Sequence, residues 1–239
     1  MRQVLVTGGG TGIGQAIAHA FADAGDAVTI TGRRLEPLEV TAEGRNIICR
    51  AADVTDERDV TGLFETPFDV VVANAGIGHA RKIAKMSLDE WNQVLNVNLT
   101  GVFLTFRAAL QNMEEGGRLI AIASTAALQG GNTLGAYAAS KHGVLGLVRS
   151  LAVEVAKSGI TCNAICPGFV ETDMADGAVK NVMAKFDISH EKASAMITAR
   201  NPMARMIQPE EVASAAIYLA SAGASSVNGH ALSVSGGEI

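Results

Sequence analysis

Gln3-Val4-Leu5-Val6-Thr7-Gly8-Gly9-Gly10-Thr11-Gly12-Ile13-Gly14 stands near the start of the chain, and its reading decides the fold. Gln3 to Thr7 is a short apolar run closed by a β-branched residue, the pattern of a strand buried on both faces. The glycine-rich stretch comes next, and residues 15–23 then read as an amphipathic helix. A strand, a glycine turn and a helix amino terminus together make a phosphate cradle. The first amides point outward, the helix dipole favours an anion, and the glycines let a pyrophosphate approach the backbone. The spacing departs from G-x-G-x-x-G, with three residues between Gly8 and Gly12, so an ordinary tight turn stays open as the alternative. Position at the first strand-to-helix junction favours a nucleotide, with Gly8, Thr11, Gly12, Ile13 and Gly14 as its candidate holders.

The alternation continues along the chain. Residues 27–31, 46–50, 68–73, 118–123, 160–166 and 230–234 read as further strands. Residues 56–65, 87 to about 113, 134–157 and 210–220 read as helices, the second opened by the capping-box pattern Ser87-Leu88-Asp89-Glu90. Strands and helices alternating from end to end predict one α/β domain: a Rossmann-type, doubly wound parallel sheet of about seven strands with helices on both faces. A chain of 239 residues suits a single domain of that kind. Residues 1–124 form its nucleotide half and 125–239 its second half.

Composition removes several classes of function. A net charge of -5 argues against nucleic acid and against a polybasic membrane patch. No apolar run reaches the ~18 residues that span a bilayer. The amino terminus runs directly into a strand, so a cytoplasmic location is expected. Cys162 and Cys166 lie ~13 Å apart on one strand, too far to bridge, and with Cys49 read as apolar packing residues. His19, His79, His142, His190 and His230 lack ligand spacing, so no metal is expected. His79 follows a turn at a strand end and could reach a substrate.

The carboxyl ends of the strands carry the chemistry-bearing residues. The second strand ends at Gly32-Arg33-Arg34, where an acidic residue would hold ribose hydroxyls; two guanidinium groups suit a 2′-phosphate instead. NADP(H) is therefore favoured and NAD(H) stays possible. Asp53-Val54 ends the third strand and Asn74-Ala75-Gly76 the fourth, while Asn98 sits in mid-helix, where Asn needs a partner. Ser124 closes the fifth strand, and Tyr137 and Lys141 follow on a helix, four residues apart and on one face. A phenol titrates near ~10, and an ammonium at ~4 Å in a dry crevice would lower it toward neutrality. The stretch from about 171 to 207 holds Met174, Met183, Met196, Met203 and Met206, which suit either a lid over an apolar substrate or core filling. Lys180, Lys185 and Lys192 within it could meet phosphates or stay solvated.

These motifs, in this order, resemble the classical short-chain dehydrogenase/reductase family over essentially the whole chain: Thr7-Gly8-x-x-x-Gly12-x-Gly14, Asp53-Val54, Asn74-Ala75-Gly76, Asn98, Ser124, Tyr137-x-x-x-Lys141, and Pro167-Gly168 with Thr172. The resemblance implies a catalytic tetrad of Asn98, Ser124, Tyr137 and Lys141. In it Tyr137 donates the proton, Lys141 lowers the phenol's pKa and holds the nicotinamide ribose, and Asn98 positions a water. It also implies that Asp53 meets the adenine, that Pro167, Gly168, Val170 and Thr172 flank the nicotinamide, and that the protein is a homotetramer. Cys166-Pro167-Gly168-Phe169-Val170-Glu171-Thr172 and Ile197-Thr198-Ala199-Arg200 look most like beta-ketoacyl reductases, so an acyl thioester is the expected substrate. A catabolic NAD-dependent dehydrogenase of a secondary alcohol or hydroxyacyl thioester is the alternative. A dinucleotide-binding sensor or scaffold without turnover is a third reading, and all four tetrad members stand against it. The chain lacks Pro-Gly-Gly after Gly76, and Ser235 precedes Gly236-Gly237 where an Asp is usual.

Overall fold

Seven strands alternate with helices in the computed structural model, which describes residues 1–239. They are β1 (Gln3–Thr7), β2 (Ala27–Gly32), β3 (Ile47–Ala51), β4 (Val70–Ala73), β5 (Arg118–Ile122), β6 (Thr161–Pro167) and β7 (Ala231–Val234). Every neighbouring pair is parallel, in the order β3-β2-β1-β4-β5-β6-β7. The sense of strand succession reverses between β1 and β4, which opens a crevice at the carboxyl edge of such a sheet.

Side chains alternate across the sheet with a period of two, so each strand feeds two cores. Val4 and Val6 pack on one face with Ile17 and Phe21 of α1 (Gly12–Asp23), Leu38 of α2 (Leu35–Ala42) and Leu219 of α9 (Pro209–Leu219). Leu5 and Val71 pack on the other with Val60 of α3 (Glu57–Leu63), Phe106 of α5 (Gly101–Ala109) and Val148 of α6 (Gly135–Val155). Phe21 and Phe106 are fully buried, and truncating either to Ala would cost roughly 3–5 kcal/mol.

Two departures from the sequence reading concern helices. Helix α2 is absent from that reading because it is short and carries Pro37; the proline is tolerated because it lies in the first turn, where no amide partner is required. The helix expected over residues 87 to about 113 runs unbroken to Ala109 but is not α-helical throughout. It comprises α4 (Leu88–Leu95), a π-helical turn (Asn96–Thr100) and α5. The cause lies in Asn98, whose fully buried amide is held by backbone from outside the helix.

Between β6 and α9 the chain makes an excursion through α7 (Asp173–Phe186) and α8 (His190–Thr198). Its two ends are joined by a parallel bridge between Val170 and Ile207, with Glu171 N donating to Ile207 O at 2.9 Å and Ile207 N to Phe169 O at 2.8 Å.

Candidate active site

The glycine loop is folded by its neighbours. Gly8 N and Gly9 N both donate to Thr31 O, at 2.7 and 3.2 Å, bending the chain over the end of β2. Gly8 and Gly12 have φ of 66° and 54°, in the left-handed region that suits glycine. A Cβ on Gly14 would stand 2.1 Å from Gly8 O, so the first turn of α1 is pressed directly onto the loop. Thr11 caps α1 without a side-chain hydrogen bond, and the first turn holds no acidic residue. Those amides stay available to an anion, which fits the cradle rather than the plain turn. Ile13 is half-buried in this turn, and Thr172 at the start of α7 packs against Gly12.

Asn74 and Thr7 join this loop to β4. Thr7 Oγ1 accepts from Asn74 N at 3.0 Å and from Ala75 N at 3.1 Å. The Asn74 amide donates back to Thr7 O and Gly8 O, at 3.0 and 3.1 Å. Asn74 thus braces the cradle with its side chain. Thr7, which opens the glycine motif, gains from this contact a bracing role that its place in the motif does not reveal.

Ser124 lies just beyond β5 in extended backbone, where its Oγ accepts from Ala126 N at 3.1 Å. Tyr137 and Lys141 sit one turn apart at the start of α6. Lys141 is 4% exposed, and its Nζ donates to Ile122 O at 2.8 Å and stands 5.8 Å from the centre of the Tyr137 ring. Asn98 Oδ1 accepts from Ile77 N at 2.8 Å, and its Nδ2 donates to Ile77 O at 3.0 Å and Ser140 Oγ at 3.2 Å. Ser140 Oγ donates in turn to Tyr137 O at 2.7 Å. Ser140 is therefore an overlooked residue: it ties the π turn to the backbone of Tyr137. The four expected tetrad residues come together at this edge, with Gly76 between Asn98 and Lys141.

One electrostatic expectation is corrected here. Burial pushes the Tyr137 phenol above its ordinary pKa, and the Ser124 hydrogen bond acts against that only in part. Burial is the larger influence on the phenol, while the Lys141 ammonium, 5.8 Å from the ring centre, is held by Ile122 O. The same burial lowers Lys141 to about 8, with Cys166 acting in the opposite sense. The phenol is thus held protonated at neutral pH and suited to giving a proton.

Beyond β3, Asp53 Oδ1 accepts from Thr55 N and Oγ1 at 2.9 and 2.8 Å. Those bonds, with the charge of Arg33, hold its carboxyl below the ordinary value. Val54 is buried against Gly101. Arg33 and Arg34 are exposed after β2, and Arg34 shares a cleft of about 600 Å³ with Gly10, Thr11, Gly12 and Gln15. Pro167 and Gly168 end β6, where Gly168 N donates to Val234 O at 3.1 Å, and Thr172 Oγ1 donates to Val170 O at 3.2 Å. Met174 faces Gly78 across the crevice mouth. His79 turns to Glu90, 3.8 Å away.

The residues matched by a family model described as "Enoyl-(Acyl carrier protein) reductase" are 8–238, nearly the whole chain. The chain belongs to the short-chain dehydrogenase/reductase family. It is an oxidoreductase of that family, acting on a carbonyl or an alcohol. It is 39% identical to a Streptomyces coelicolor protein assigned as a ketoacyl reductase, over 98% of this chain and 95% of the relative. It is 38% identical to the 2-dehydro-3-deoxy-D-gluconate 5-dehydrogenase of Bacillus subtilis, over 99% and 94%. Among solved structures it resembles a variant of actinorhodin polyketide ketoreductase with NADPH, at TM-score 0.93 and 37% identity, covering 99% and 97% of the two chains. The site of this short-chain dehydrogenase/reductase lies at the strand reversal, with the glycine loop on one side and Ser124 and Tyr137 on the other.

Proposed function

We propose that this enzyme reduces the 3-oxo group of an acyl thioester to a secondary alcohol, using NADPH. The observation that carries the reading is the convergence of Ser124, Tyr137 and Lys141 beyond β5, with the phenol held protonated by burial. The glycine loop fits a dinucleotide, since Thr11 makes no side-chain cap and no acidic residue occupies the first turn of α1, leaving its amides for a pyrophosphate. Arg33 and Arg34 would meet a 2′-phosphate, and Asp53 the adenine. Pro167, Gly168, Val170 and Thr172 would line the nicotinamide end. The ketoacyl relative and the ketoreductase with NADPH support the same substrate class and cofactor.

When bound, the nicotinamide supplies a hydride to the carbonyl carbon. Ser124 and Tyr137 hold the carbonyl oxygen, and the Tyr137 proton passes to that oxygen as the C=O bond becomes C–O–H. The phenolate left behind faces the Lys141 ammonium and is reprotonated from solvent. Asn98, with its amide engaged by Ile77 and Ser140, fixes Tyr137 at the backbone. The excursion through α7 and α8 serves as the lid over the acyl chain. Association into a homotetramer and a cytoplasmic location belong to the same reading.

A second reading, oxidation of a hydroxy acid or other secondary alcohol with NAD, draws on the gluconate-type relative. Consumption of NADPH with acetoacetyl-CoA decides between them. The thioester reading expects turnover that is faster with NADPH than with NADH, and none with crotonyl-CoA. Arg33→Ala should weaken NADPH binding about tenfold, the worth of one charge-assisted hydrogen bond. Turnover confined to free hydroxy acids with NAD would reject the reading.

A further inference from the structure

Three stretches far apart in sequence meet at one side-chain amide. Gln129 follows the 3₁₀ turn Thr125–Ala127 that Ser124 caps, Arg200 lies just after α8, and Glu238 lies in the tail after β7. Gln129 Nε2 donates to Glu238 Oε1 at 3.0 Å, and the Arg200 guanidinium donates to Gln129 Oε1. A cation on its oxygen and an anion on its nitrogen leave the amide one orientation, because a flip would set donor against donor and acceptor against acceptor. The second oxygen of Glu238 lies over Gly168, where a Cβ would come within 3.3 Å of it.

The tail is shaped to receive the end of the excursion. Gly236 and Gly237 have φ of 64° and 89°, and a Cβ on Gly236 would stand 2.1 Å from Asn201 Oδ1. Buried Asn201 accepts from Met203 N at 2.8 Å and donates to Arg205 O at 2.7 Å, so it organises the turn that rests on the glycines. None of the three clasped residues is hydrogen-bonded to Tyr137 or Lys141.

We propose that Gln129, Arg200 and Glu238 form a clasp that sets how closely α7 and α8 lie over Ser124. Gln129 and Glu238 are thereby positioning residues for carbonyl reduction. The clasp governs substrate affinity rather than proton transfer. It rests on the lid reading of the excursion, and on no particular acyl group.

The test uses the intact enzyme and three variants: Glu238→Ala, Gln129→Met, which keeps length but can bond neither Arg200 nor Glu238, and Glu238→Gln, which keeps the acceptor. Limited trypsin digestion, with fragments assigned by mass, reads cleavage after Lys180, Lys185 and Lys192. The first two variants should be cut there about fivefold faster, the worth of one hydrogen bond, with cleavage after Lys82 and Lys85 unchanged. Their KM for ethyl acetoacetate with NADPH should rise by a similar factor at constant kcat, and Glu238→Gln should match the wild type in both measurements. Equal cleavage in all four proteins, equal acceleration at Lys82 and Lys85, or a Glu238→Gln variant as impaired as Glu238→Ala would each overturn the clasp. Digestion needs no substrate, so failure of the thioester reading would leave this result standing.

Discussion

At the carboxyl edge of the sheet, Asn98, Ser140 and Lys141 are almost wholly withdrawn from solvent, and each has its polar atoms engaged. By contrast, Met174, Met196 and Met203 stand about half exposed on or beside the α7–α8 excursion. The first region is over-determined: moving one group strands a buried donor or acceptor, at roughly 1–3 kcal/mol each. The second is attached at its ends, by the Val170–Ile207 bridge and the contacts of Arg200 and Asn201, and presents flexible thioethers between them. Proton transfer needs fixed atoms, whereas a surface of flexible thioethers can adapt to what it meets. Substitutions in the two regions should therefore differ in kind as well as in size.

The largest effect is expected from Tyr137→Phe, which keeps the ring and removes the proton. Reductase kcat should fall by about 10³-fold, within the range for general acid catalysis, while NADPH affinity stays unchanged. A loss below tenfold would mean that another group supplies the proton. Next comes Lys141→Met, where activity and stability should move in opposite directions. The folded pKa of about 8 lies below the 10.5 of a free lysine, so between those values the unfolded chain binds more protons and wild-type stability rises with pH. Below about pH 8 the buried charge costs stability in full. The variant should then be more stable than wild type by about 1–3 kcal/mol, reduced by the Ile122 carbonyl left without its donor. That gain should shrink as pH rises from 8 to 10, because only the wild type recovers. Cys162, pushed up to about 12, loses stability for both proteins above pH 9 and cancels in the difference; Cys166, at about 11, is held down in part by Lys141, so the variant alone loses more there and the gain shrinks further. Denaturant melts at pH 7 and pH 9.5 read it; a constant difference would contradict the assignment. Smallest is Met174→Ala, for which KM should rise less than about threefold with kcat unchanged, the signature of uniform binding. A large fall in kcat would place Met174 with the rigid edge and dissolve the contrast.

What could be read from sequence follows the range of the forces involved. The glycine loop, the strand alternation and the Tyr137–Lys141 pairing rest on neighbours within a few residues, so pattern alone exposes them. The bracing role of Thr7 stays hidden until β4 is placed beside it, 67 residues on. Ser140 acquires its role from Asn98, 42 residues earlier, and the π turn from Ile77, 21 residues before Asn98. The clasp joins positions 71 and 109 residues apart. Helix α2 is hidden in the sequence because it spans only eight residues and carries Pro37, a residue that usually marks a turn. The direction of the Tyr137 pKa was misjudged because spacing reports which charge is near, while burial is a property of the assembled fold.

The chain has two tyrosines, Tyr137 and half-exposed Tyr218, so Tyr218→Phe leaves the phenol at the site as the sole source of tyrosinate absorbance. Spectrophotometric titration of that variant reports directly whether the group is held as a proton donor. Ionisation above the ordinary phenol value of about 10 is the expected result. A midpoint near neutrality would contradict the account, because the site would then hold a base and burial would not be the force that sets it.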